Sequence, residues 1–151
     1  MRLFLDTEFT RLDHEAKLIS IALVDEDENF FYAELNDTYR LEDCSDFVKS
    51  NVLPFLKGGK YVMSEYECKL AMCRWIEERN VNCAICTDAP SWDLPLFAPL
   101  LQPCKPENLE DMAILINVPS ETTKEIVEKY NYDIHNALDD AFVMKKAILG
   151  Y

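Results

Sequence analysis

Three short stretches carry the side chains with chemistry in them. LFLDTEFT sets Asp6 and Glu8 one residue apart near the start. CTDAPSWDLPLF brings Asp88 and Asp93 near the middle, with Trp92 beside the second acid. HNALDDAF adds His135, Asp139 and Asp140 near the end. In a strand, residues 6 and 8 project to the same face. Two ionised carboxylates held side by side repel, so either one takes up a proton or a cation sits between them. Oxygen ligands of this kind suit hard cations such as Mg²⁺ or Mn²⁺. A loop histidine beside such a carboxylate can serve as a general base near neutral pH.

An isolated D-x-E is a short motif and is most simply two hydrated acids at a strand end. The other stretches must therefore join it. At about 100° per residue, Ala137, Leu138, Ala141, Met144 and Ile148 gather on one side of a helix. Asp140 lies at the edge of that stripe and needs a partner. Asp139 points away and is expected to face water. Asn136 is placed to cap this helix. Asp88 ends a strand, a common position for a site acid in α/β proteins. Asp93 stands in the first turn of a helix, where the helix dipole alone would favour an acid. His14 lies in a charged loop and is assigned no role.

The elements that must position these residues can be read from periodicity. RLFLD, KLISIALVDED and NFFYAEL are three strands in close succession, the last two joined by a polar turn, which suggests an antiparallel meander. SDFVKSNVLPFL reads as a helix that Pro54 kinks or ends. SEYECKLAMCRWIEERN is a helix opened by the Ser64/Glu67 capping box. NCAICT is a fourth strand, SWDLPLFAPLL a short helix with Ser91 as its cap, and LEDMAILI a fifth strand. SETTKEIVEKY and NALDDAFVMKKAIL complete the pattern as helices. The expected architecture is α/β, a mixed central sheet flanked by helices: three antiparallel strands, then parallel ones.

The 151 residues suggest one domain spanning 1–151, and 49% hydrophobic residues supply a proper core. No apolar run approaches the roughly 18 residues of a membrane helix, and the early acids interrupt any leader-like segment. A soluble cytoplasmic protein with no membrane partner is expected. Fifteen basic against 28 acidic residues give a net charge of −13, which argues against a binder that relies on a basic surface. Bound cations would invert that charge locally. Of the six cysteines, at 44, 68, 73, 83, 86 and 104, Cys83 and Cys86 have C-x-x-C spacing. In a strand, residues three apart face opposite sides, so these read as reduced core cysteines rather than a redox or zinc pair.

Taken together, DTE, SWD and HNALDD resemble the DEDDh family of 3′–5′ exonucleases, whose pattern is D-x-E, an aromatic-flanked middle Asp, and a late H-x-A-x-x-D. RLFLDTEFT followed by LISIALVDEDENFFYAEL is similar to the small single-domain bacterial exoribonucleases of that family. The resemblance implies a ribonuclease-H-like fold and two-metal phosphodiester hydrolysis at single-stranded 3′ ends, releasing nucleoside 5′-monophosphates. It implies that Asp6, Glu8, Asp93 and Asp140 hold two divalent cations, Mg²⁺ or Mn²⁺, and that His135 is the general base. It makes Phe9, Thr10, Leu12 and Trp92 substrate-contact candidates, with single-stranded RNA or short oligonucleotides as partner, DNA as a second possibility, and a homodimer as the assembly seen in relatives. The middle motif lacks an expected Asn, which leaves Asp88 as the alternative to Asp93 for the fourth acid; Trp92 favours Asp93. Arg11 replaces a Gly of the oligoribonuclease version. Phosphate contacts could come from Lys57, Lys60, Lys145 or Lys146, which otherwise read as exposed lysines that aid solubility. The alternative is a non-catalytic nucleic-acid or protein-binding module on the same fold.

Overall fold

A computed structural model of the chain describes residues 1–103 and 105–150; Cys104 lies outside the described residues. Six strands form one sheet in the order β4-β3-β2-β1-β5-β6. They are β1 (Arg2–Phe9), β2 (Leu18–Asp25), β3 (Phe30–Leu35), β4 (Val62–Met63), β5 (Ala84–Thr87) and β6 (Ile114–Leu115). The first three pair antiparallel as a meander, whereas β4, β5 and β6 add parallel at the two sides. The helices are α1 (Asp46–Asn51), α2 (Glu65–Glu77), α3 (Pro90–Phe97), α4 (Ser120–Tyr130) and α5 (Ala137–Leu149). The architecture is thus α/β with a mixed sheet flanked by helices. No described helix is long and apolar enough to cross a membrane.

Strand parity sorts the core into two layers. Leu3 and Leu5 of β1, Ile21 and Leu23 of β2, and Ile85 of β5 face Cys68, Met72 and Ile76 of α2 and Phe97 of α3. Phe4, Ala22, Val24 and Cys86 face Ala137, Leu138, Ala141 and Met144 of α5. Small residues at 22, 137 and 141 let this helix lie close to the sheet. Asp6 and Glu8 share the parity of Phe4, so β1 aims both acids toward the α5 side. Cys83 and Cys86 fall in opposite core layers and are free thiols, as strand geometry requires.

Two local features fix the ends of these elements. Ser64 accepts the Glu67 amide at 3.1 Å, as its motif suggests. Asn136 accepts from the amides of Leu138 (3.1 Å) and Asp139 (3.4 Å), which caps α5. Its side-chain nitrogen also donates to the Phe55 carbonyl (3.1 Å) and the Tyr32 hydroxyl (3.4 Å). That hydroxyl in turn donates to buried Glu34 at 2.5 Å, and Glu34 accepts the amides of Lys57 and Gly58, both at 2.7 Å. The start of α5 is thereby tied to the loop after α1.

Several expectations are corrected. Ser91 does not cap its helix: α3 begins at Pro90, whose fixed φ suits a first helical position, behind Ala89. The strand expected over LEDMAILI reduces to the two residues of β6 plus a bridge from Leu109 to Cys83. β4 is not visible in the periodicity. Lys145 and Lys146 are not solvated but buried, both bound to Glu28 at 3.0 and 2.9 Å. Asp139 is not open to water; it accepts the Asp133 amide at 2.8 Å and lies 3.8 Å from Lys57 Nζ.

Asp25, buried at the end of β2, accepts the amides of Asp27 and Asn29 at 2.9 Å and pairs with Arg79 Nη1 at 2.7 Å. Asp25→Ala would leave the largely covered guanidinium without its counter-charge. A loss of about 3–5 kcal/mol is expected. Urea unfolding of the variant checks this; an unchanged midpoint would contradict it.

Candidate metal centre

Each acid reaches the site by its own element. β1 delivers Asp6 and Glu8, and its antiparallel pairing with β2 sets them opposite Ala22 and Ser20, with a register shift only between Glu8 and Phe9. β5 runs parallel to β1, so its C-terminal end brings Asp88 to the same end of the sheet. α3 starts there and supplies Asp93. The capped start of α5 supplies Asp140, whose Oδ2 accepts the His135 amide at 3.1 Å.

Two triplets result. Asp6, Glu8 and Asp140 offer oxygens that all lie within 4.8 Å of one another, and so do Asp6, Asp88 and Asp93. Asp6 belongs to both. Its Oδ2 is buried and has no hydrogen-bond partner among the described residues. An orphaned, buried carboxylate oxygen among four other acids fits a hard divalent cation, since nothing else here supplies positive charge to it.

Burial dominates the electrostatics. It holds the Asp6 carboxyl well above its ordinary range, helped by Asp140, Asp93, Glu8 and Asp88. Glu8 is pushed up to about 8, chiefly by burial and then by Asp140 and Asp93. Burial likewise lifts Asp140 to about 7, with the His135 amide opposing. Burial also raises Asp93, against the hydrogen bonds that it accepts, and it raises Asp88.

These shifts give a pH dependence with a definite sign. Unfolded, Glu8 and Asp140 titrate near 4.5 and 3.8; folded and metal-free, they titrate near 8 and 7. Between those limits the folded chain holds the extra protons, so raising the pH removes them at the expense of the folded state. Stability of the metal-free protein is expected to fall as pH rises from about 5 to about 8, and Glu8→Gln should reduce the slope. Melting curves in chelator across that range check it. A stability that climbs with pH would be the contrary result.

Asp93 is held from behind. Thr7 Oγ1 donates to its Oδ1 at 2.6 Å, and Thr87 Oγ1 to its Oδ2 at 2.5 Å. Sequence reasoning missed both threonines. The only signal for Thr7 is its opposite parity to the acids that flank it, which sends it to the α3 side of the sheet.

A cleft of about 420 Å³ opens beside Glu8 and His135, walled by Phe9, Arg11, Leu12 and Phe47. The His135 ring meets the Phe47 ring edge-on, with centroids 5.1 Å apart. Phe9 stacks on Trp92 at 5.7 Å. Leu12 is mostly exposed at the rim. Thr10 departs from expectation. It is fully buried, its hydroxyl accepts the Lys17 amide at 3.0 Å, and it lines no part of the cleft. The nearby cations are engaged: Arg11 with Asp13 and Glu15, Lys17 with Asp43, Lys57 with Asp139. Lys60 lies over the Tyr61 ring, 5.3 Å from its centroid.

No protein-family model matches the chain, and a comparison with curated proteins finds no match either.

Proposed function

We propose that this protein is a metal-dependent 3′–5′ exonuclease on a ribonuclease-H-like fold, acting on single-stranded RNA or short oligonucleotides. One observation carries the reading: Asp6 is shared by two carboxylate triplets and keeps a buried oxygen without a partner. Asp6, Glu8 and Asp140 would hold one divalent cation, and Asp6 with Asp93 a second. Such a pair, Mg²⁺ or Mn²⁺, supplies charge stabilisation of the attacking and leaving oxygens in phosphodiester hydrolysis.

The chain's own groups do the rest. His135 accepts the proton of the attacking water. Its backbone bond to Asp140 ties the base to a cation ligand, and the Phe47 edge limits how its ring can turn. The cleft between Phe9, Leu12 and Phe47 offers apolar walls to a terminal nucleotide, and aromatic stacking of a base contributes about 1–3 kcal/mol. Because the neighbouring cations are already paired with carboxylates, few phosphates can be neutralised. That favours short, flexible substrates and a shallow salt dependence.

The test is incubation of 5′-labelled single-stranded RNA and DNA with Mg²⁺ or Mn²⁺. A ladder that recedes from the 3′ end supports the reading. Internal cuts would make the protein an endonuclease, and absence of cleavage with either metal would favour a non-catalytic binding module.

A further inference from the structure

We propose that Asp88 is a fifth carboxylate of the metal centre, a direct ligand of the cation that Asp6 and Asp93 share. The inference rests on the metal-centre reading above and assigns a role that the four-acid scheme leaves out.

Three observations lead to it. Oxygens of Asp6, Asp88 and Asp93 lie mutually within 4.8 Å. Asp6, whose buried Oδ2 has no partner among the described residues, belongs to this triplet. A cavity of about 190 Å³ is lined by Asp6, Asp88 and Asp140, with Val118, Thr123 and Val143 among its other walls. The site is therefore a hollow with three carboxylates at its edge, of which Asp88 is the one exposed to solvent.

The two middle acids divide the work. Thr87 and Asp88 are consecutive at the end of β5, so they point to opposite faces of the sheet. Thr87 goes to the α3 side and binds Asp93; Asp88 goes to the side of Asp6. Both Asp93 oxygens already accept a threonine hydroxyl, which fixes that carboxylate in place. Among the described residues, no side chain donates a hydrogen bond to Asp88. A cation between Asp6 and Asp93 alone would have two protein carboxylates in a shell that wants six oxygens. Asp88 supplies a third from the open side. The lysines of α5 do not answer the charge there: Lys145 and Lys146 are both bound to Glu28.

The experiment is calorimetric titration of the metal-free 151-residue chain with MnCl₂, for the wild type, Asp88→Asn and Asp88→Glu. Circular dichroism of each metal-free variant checks that it is folded. Two bound ions are expected for the wild type. In Asp88→Asn one of them should weaken by about tenfold or more while the other stays, and Asp88→Glu should recover part of the loss. Wild-type-like binding in Asp88→Asn, within twofold at both sites, overturns the inference. A wild type that binds no Mn²⁺ overturns it together with the metal-centre reading. Cleavage assays on the same samples separate the two ideas. Weakened binding in Asp88→Asn with no cleavage by the wild type leaves Asp88 a ligand and removes the nuclease; unchanged binding with cleavage does the reverse.

Discussion

Replacing Asp6 by alanine is expected to abolish cleavage while leaving the protein folded. Among the described residues Asp6 is the one common to both carboxylate triplets, so in the proposed function its loss would disturb both ions at once. Charge stabilisation by the metals is worth several kcal/mol in the transition state. At about 1.4 kcal/mol per tenfold, kcat/KM should drop by roughly 10³-fold or more. The fold should survive, and the metal-free variant should melt higher than the metal-free wild type. Asp6 is buried among four like charges and its oxygen has no partner, so removing it relieves repulsion and a desolvation cost. Rate assays and melting curves in chelator check the two halves. Turnover near the wild-type level in Asp6→Ala would refute the assignment of the centre.

His135→Ala is expected to separate chemistry from metal binding. In the proposed function the imidazole is the proton acceptor, and a positioned general base contributes about 10²–10⁴-fold. Its contact with Asp140 runs through the backbone amide, which alanine retains, so Asp140 keeps its hydrogen bond. Rates should fall by that factor, whereas the rise in melting temperature on adding Mn²⁺ should stay close to that of the wild type, since it follows from binding alone. An unchanged rate would place the base elsewhere. Loss of the Mn²⁺-induced shift would mean that the residue serves the metal and not the water.

The sequence announces the elements more clearly than the contacts between them. β1 to β3 are long enough for alternation to show, and their parity correctly sends Asp6 and Glu8 to one face. The capping of α5 by Asn136 follows from residue type and spacing. β4 and β6 have two residues each and leave no periodic trace. Side chains that meet across long separations are equally silent. Lys145 and Lys146 look like solvated lysines until the β2–β3 turn places Glu28 against them, 117 and 118 positions away. Asp139 looks like a surface acid until Lys57 arrives from the loop after α1. The two threonines behind Asp93 show no more than strand parity, because a lone Thr in a strand is an ordinary strand-forming residue. Which carboxylates converge was legible from three local patterns. How each is braced depends on pairing β1 with β5, and periodicity within one segment does not encode that.

The chain of polar contacts running from Asn136 through Tyr32 to Glu34 has a kinetic consequence. Asn136 and Phe55 are 81 positions apart, yet one amide side chain joins them. Freeing the turn at His135 therefore requires breaking bonds that also anchor residues 55–58, so the two segments should open as one cooperative unit. In hydrogen exchange, the amides of Lys57 and Gly58 should keep pace with that of His135.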